Sequence, residues 1–237
     1  MLKFIFKIYI FLFTFLVFAQ EKPKDSLPVK TDKYGLRLGV DLYKLSRSFY
    51  DKEYKGLELV GDFRLTKKHY VAAEIGNENK TTSETYLNFT TKGSYIKAGF
   101  DYNTYENWTG MNNLIHLGFR YGFSSFNQTL NSYSIYNTNH YFNTVTNYPT
   151  TKYDGLTASW IEIASGIKVE IFNNLFIGTS VRLNYLLSNK KPETFDNLYI
   201  PGYNKTYNGK FGVGFNYTIS YFLPIFKKKV VAKTQKK

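Results

Sequence analysis

The 237-residue chain has no cysteine, only three histidines and six prolines, and fewer acids than bases, 18 against 31. Without cysteine there can be neither a disulfide framework nor a thiolate metal site, nor the cysteine on which a bacterial lipid anchor is built. Beyond residue 19 no stretch approaches the ~18 apolar residues that cross a bilayer as a helix. A mean hydropathy of −0.34 argues equally against a bundle of membrane helices. Nor is there a stripe of bases with stacking aromatics, and six of the lysines sit in Lys227 to Lys237, so the net charge of +13 does not describe a nucleic-acid surface.

What is present is 43% hydrophobic and 19% aromatic residues, too apolar for a disordered chain. Met1 to Ala19 carries Lys3 and Lys7 and then an apolar run, the order of a secretory signal, with cleavage expected after Ala19. Gln20 to Lys33, with Pro23 and Pro28, reads as a periplasmic leader. The folded body is expected over residues 34–222, and residues 223–237 read as a basic tail containing Lys227, Lys228, Lys229 and Lys233, periplasmic if the body is an outer-membrane barrel.

Between the tails the sequence alternates with period two, the mark of strands with one apolar face. Leu36, Leu38, Val40 and Leu42 oppose Arg37, Gly39, Asp41 and Tyr43, and Ile161, Ile163, Ile167 and Val169 oppose Glu162, Gly166, Lys168 and Glu170. Ten such segments are read: residues 34–45, 55–66, 69–77, 83–91, 94–105, 112–123, 126–136, 157–171, 175–187 and 207–222. Thr66 to His69, Lys92 to Ser94, Ser124-Ser125 and Phe172 to Asn174 read as tight turns, and Ser46 to Tyr54, Glu78 to Thr82, Glu106 to Met111, Asn137 to Leu156 and Ser188 to Thr206 as loops. Short turns opposite long loops, with an even strand count, is the layout of a transmembrane barrel with both termini in the periplasm.

Alternation alone does not say which face meets lipid. Glycine does: Gly39, Gly76, Gly99, Gly118, Gly122, Gly166, Gly178, Gly212 and Gly214 share the polar face. A narrow lumen needs small residues beside large ones, whereas a solvated outer face loses strand stability to glycine. The polar face therefore reads as the inside. Tyr34, Tyr43, Tyr70, Tyr95, Tyr102, Tyr105, Trp108, Tyr121, Tyr185, Tyr207 and Tyr221, near strand ends, read as interfacial girdles.

The inward acids are then Asp41, Glu58, Asp62, Glu74, Asp101, Glu162 and Glu170, and the inward bases Arg37, Arg64, Lys97, Arg120, Lys168 and Arg182. Near-balanced charge in a lumen this narrow pairs and plugs it. His69 falls in a turn, His116 points inward and His140 lies in a loop; neither His116 nor His140 has an acid within a few residues to make a catalytic pair. No catalytic residue, cofactor or metal site is expected. Asn88, Asn107 and Asn204 match the glycosylation pattern, as chance allows in an Asn- and Thr-rich chain. The long loop after Asn137 offers Tyr141, Phe142, Tyr148 and Tyr153 as surface contacts.

Phe18-Ala19-Gln20, the first strand Tyr34-Gly35-Leu36-Arg37-Leu38-Gly39-Val40-Asp41 and the last strand Gly212-Val213-Gly214-Phe215-Asn216-Tyr217 resemble outer-membrane barrels of the Bacteroidota, in particular an uncharacterised flavobacterial family. The resemblance implies an all-β, antiparallel up-and-down transmembrane barrel of about ten strands in the outer membrane, and no reaction. By analogy with the accessory barrels of Bacteroidota assembly, secretion and uptake machines, the expected role is a non-catalytic accessory or scaffold subunit, with outer-membrane lipid and other proteins as partners. A narrow porin-like channel, a soluble periplasmic ligand binder and a surface hydrolase or acyl-transferase are the other readings.

Overall fold

The computed structural model describes residues 31–107, 111–135, 145–192, 196–204 and 209–229. Residues 1–30, and with them the expected signal and most of the leader, lie outside these, as do Trp108, His140, Tyr141, Phe142, Tyr207 and Lys233. The elements are β1 (Thr31–Asp41), α1 (Leu42–Tyr50), β2 (Tyr54–Arg64), β3 (His69–Glu84), β4 (Leu87–Asn103), β5 (Leu114–Ser134), β6 (Thr146–Asn147), β7 (Thr151–Phe172), β8 (Leu175–Asn189) and β9 (Phe211–Lys229). Every pairing is antiparallel, each long strand pairs with its sequence neighbours, and β9 returns to β1. Among the described residues eight long strands thus close a ring, with the two-residue β6 appended to β5.

The ring is all-β and up-and-down, as the alternation implies, but it holds eight long strands where ten are read from the pattern. Lys92-Gly93-Ser94 and Ser124-Ser125 are not turns; they lie inside β4 and β5, paired Lys92↔Asn127 through Tyr95↔Ser124. The reason is a change of surroundings along one face. On β3 the outward residues run Val71, Ala73, Ile75 and then Asn77, Asn79, Thr81. On β4, Phe100, Ala98 and Ile96 give way to Ser94, Lys92, Thr90 and Asn88, and on β5, Phe119, Tyr121 and Phe123 give way to Ser125, Asn127, Thr129 and Asn131. The period-two burial continues unbroken while the outward chemistry turns polar, so hydrophobicity loses the strand at the point where the ladder does not. Glu78 to Thr82 accordingly belongs to β3, and Asn103 and Leu114, the end of β4 and the start of β5, lie on the same side of the ring as Thr31 and Lys229.

Two further boundaries differ. β1 starts at Thr31 and β9 runs to Lys229, so Lys227, Lys228 and Lys229 are strand residues facing Lys33, Asp32 and Thr31. Pro224 does not end β9, because the register shifts between Tyr34 and Gly35, where a missing N–H is tolerated. At the other end β1 stops at Asp41, whose carboxylate accepts from the backbone N–H groups of Tyr43 (2.7 Å) and Lys44 (3.2 Å). That N-cap starts α1, and the Arg47–Asp51 pair (2.9 Å) closes its last turn.

Inside, large side chains sit across from glycines. Tyr95 faces Gly76, Trp160 faces Gly122 and Arg120 faces Gly99. A Cβ on Gly76 would stand 2.3 Å from the Tyr95 ring, and one on Gly122 2.3 Å from Trp160. Tyr34, Tyr70 and Tyr95 are buried inward and do not belong to a girdle, whereas Tyr102, Tyr121 and Tyr221 are exposed on the outside.

Candidate functional site

The lumen divides into three layers. In the upper layer β4, β5, β7 and β8 contribute Tyr95, Phe126, Leu156, Ala158, Trp160 and Leu186, which pack with Ile200 and Tyr203 from the β8–β9 connection. Residues 200–204 tuck in as a tight turn, bridged Ile200↔Asn204. Gly202 there has φ +80° and lies against the Tyr95 ring, so both its backbone and its surroundings demand glycine. Each buried ring or aliphatic chain of this plug contributes about 1.5–3 kcal/mol of apolar burial. Tyr153, expected as a surface contact, packs against this cluster; Tyr148 is exposed.

Where the plug meets the charged middle, α1 turns Lys44 into the barrel. Its Nζ donates to Glu58 Oε2 (2.7 Å) and lies 2.7 Å from Glu78 Oε1, and it also donates to the Tyr95 hydroxyl. Tyr199 donates to Glu78 Oε2 (2.5 Å), and the Gly202 N–H reaches the same oxygen at 3.2 Å. One buried carboxylate therefore ties together α1 and the 199–202 segment. Asn216 donates to Asp41 Oδ2 (2.7 Å) and Glu58 Oε1 (3.1 Å), fixing the base of α1 to β9. Burial opposes the Lys44 charge, but Glu58 and Glu78 outweigh it and hold the ammonium above the ordinary lysine range. Burial likewise raises the Tyr203 hydroxyl to about 12.

The middle layer is a continuous ion-pair network. Arg182 grips Glu74 with both terminal nitrogens (2.6 and 2.9 Å) and reaches Glu162 at 3.3 Å. Lys97 lies 3.2 Å from Glu162 and 3.6 Å from Glu74, and the Trp160 indole N–H donates to Glu162 at 2.7 Å. Below, Arg120 bonds Asp101 (2.7 Å), Lys168 bonds Asp62 (2.7 Å) and Arg37 approaches Asp62 at 3.5 Å, its guanidinium 4.2 Å above the Phe176 ring. The lower mouth is closed by Arg64, which donates to the Lys33 carbonyl (2.9 Å) and Asn112 Oδ1 (2.9 Å) and stacks 4.7 Å from Tyr34. The space left between Arg37, His116, Lys168, Arg182 and Asn216 is about 30 Å³, room for a water or two.

Of the inward residues read from sequence, Asp41, Glu58, Asp62, Glu74, Asp101 and Glu162 and Arg37, Arg64, Lys97, Arg120 and Arg182 are buried in the lumen. Lys168 is nearly so, and Glu170 stands at the lower rim, capping the 173–174 turn through Asn174 N (2.8 Å). The pattern missed Lys44, Glu78, Tyr199 and Trp160. Glu78 falls where β3 leaves its aliphatic stretch, and Lys44 and Tyr199 belong to connections, whose depth in the barrel no periodicity encodes. His116 lies against Gly166 in the charged interior, and His69 bonds Thr66 Oγ1 (2.9 Å) in its turn. Among the described residues no group of His, Asp and Glu has the arrangement to hold a metal ion.

Outside, Leu38, Leu59, Ile75, Ile96, Phe100, Leu117, Ile163, Ile167, Val181, Leu183 and Val213 are all about half exposed or more, in a continuous belt around the ring. Charge inside and aliphatic chains outside invert a water-soluble barrel and define the membrane-spanning β-barrel class. Within that class the chain belongs to the family DUF6048, a domain of unknown function whose model matches residues 1–228. Among solved structures it is similar to Ail, the attachment invasion locus protein of Yersinia pestis, with 10% identity and a TM-score of 0.39 over 80% of this chain and 97% of that one. No curated protein matches the chain.

Proposed function

We propose that the protein is a non-conducting, non-catalytic barrel of a flavobacterial outer membrane, serving as an accessory or scaffold subunit of a larger outer-membrane complex. Both termini face the periplasm in this reading, and α1 and residues 145–150 face the cell exterior. The observation that carries it is the filled lumen. From Lys44 to Arg64 the interior is occupied by paired charge and a buried aromatic plug, and the cavity within the charged layer is about 30 Å³. A lumen so filled transports nothing in this reading, and His116 is buried in the charged layer. What remains available for function is the exterior: lipid around the belt, and partner proteins at the loops, including exposed Tyr148, and at the lysine-bearing end of β9.

Planar-bilayer recording tests the closed lumen. Wild-type barrel is expected to show no unitary steps, and discrete steps would establish the narrow channel instead. Purification of a tagged copy in mild detergent tests the scaffold role: co-purifying outer-membrane proteins in fixed stoichiometry are expected, and a barrel that purifies alone contradicts it.

A further inference from the structure

Above the belt, β3, β4 and β5 continue as a wall whose outward face is amide and hydroxyl. From Ser94 to Asn88 the outward side of β4 climbs about 20 Å of strand. A phospholipid headgroup layer is only about 5–8 Å deep on each side of the hydrocarbon, so the wall rises well past it. An outer face bathed only in water carries roughly a quarter to a third charged residues. Here the outward positions of these three strands hold one charge, Lys92, among asparagines, threonines and serines.

The wall is built as a fixed surface. Asn77 donates to Ser94 (2.8 Å), Thr81 and Thr90 share a hydrogen bond (2.9 Å), and Asn131 donates to Asn88 and Thr90. Between these rungs runs a shallow groove of about 570 Å³, reaching from Asn79 across Thr90 and Lys92 to Asn127, Thr129 and Lys152. Among the described residues Asn79 and Thr129 have no side-chain hydrogen bond, and Lys92 has no ion pair. Lys152 pairs only with Asp154, at 2.8 Å with both more than half exposed, a contact of the weak kind.

We propose that this groove binds the sugar headgroup of a phosphorylated glycolipid in the leaflet on the side away from the termini. Asn79, Thr90, Asn127 and Thr129 exchange hydrogen bonds with sugar hydroxyls, and Lys92 and Lys152 pair with phosphate. The argument from continuity is direct, because the groove begins where the aliphatic belt ends, on the same outward faces. A lipid whose chains lie along Ile75, Ile96 and Phe123 therefore presents its headgroup to Ser94 and Lys92. This rests on the membrane and orientation readings of the proposed function.

The test uses the full chain in phosphatidylethanolamine and phosphatidylglycerol nanodiscs containing either rough lipopolysaccharide or sugar-free lipid A. Native mass spectrometry reads the lipids retained by the released barrel. Wild type is expected to retain rough lipopolysaccharide at least tenfold over phosphatidylglycerol and several-fold over lipid A. T90V/T129V and K92E/K152E, all outward substitutions that leave the ladder intact, are expected to lower that retention about fivefold. Equal retention by wild type and variants overturns the proposal, as does equal retention of lipid A and rough lipopolysaccharide, which would mean phosphate alone is recognised. A barrel that enters no disc overturns the membrane reading, and this inference with it.

Discussion

Gly76 and Tyr95 face each other inside the barrel, and the space that glycine leaves is filled by a phenol holding Glu58 at 2.5 Å. The same exchange of small for large places Trp160 over Gly122. Glycine on the polar face was legible because the lumen has a fixed width, so one strand's ring requires its neighbour's hydrogen. G76V or G122V forces a side chain into an aromatic ring, and overpacking of this kind costs about 1–3 kcal/mol. Urea unfolding from lipid vesicles is expected to show both midpoints lowered. At the same scale K44M strips Glu58 and Glu78 of their shared cation and leaves buried carboxylates, a loss of about 3–5 kcal/mol. Because Lys44 is held above its ordinary range, its contribution is complete below about pH 10 and is lost only as pH rises beyond that. Thermal unfolding between pH 7 and 10 is expected to show no Lys44-dependent step, and a wild-type midpoint that falls over that range while K44M stays level would contradict the assignment. The residues of this knot were only half visible in advance: Glu58 follows the alternation, but Lys44 and Tyr199 meet it through connections.

α1 is the element the alternation hides. Leu36, Leu38, Val40 and Leu42 keep period two up to and including the first residue of the helix, so β1 reads on to Leu45. The signal against this is Asp41, a cap residue, followed by the i, i+4 pair Arg47 and Asp51. In D41A the cap and the Asn216 contact are both lost, at about 1–2 kcal/mol for the cap alone. Hydrogen exchange is expected to quicken over residues 42–50 while β2 and β3 keep their protection; uniform quickening of the whole ring would mean that α1 does not open separately from it. β4 and β5 fail in the opposite way. Their ladders are intact through Lys92 and Ser125, but the outward chemistry changes from hydrocarbon-facing to polar, and a reader of hydrophobicity sees two strands where there is one. Ten became eight for that reason, while the closed antiparallel meander survived, because it depends on alternation and connection length rather than on where each strand is cut.

For the molecule as a whole, the aliphatic belt and the charged interior are two consequences of a single choice of face. With no water in the hydrocarbon, the backbone must be paired across closed ladders such as these, and charge is acceptable only where other charge meets it, inside. Outward Ile163 and inward Glu162 are adjacent in sequence and lie on opposite sides of this boundary. The chain contains no cysteine, so a single one can be placed at any position without competition. Spin labels at Ile75, Phe100 and Ile163 of the reconstituted barrel, read for relaxation by molecular oxygen against a water-soluble nickel chelate, test that boundary directly. High oxygen and low chelate accessibility at all three is the outcome expected of side chains in hydrocarbon. High chelate accessibility there would put those side chains in water and contradict the account.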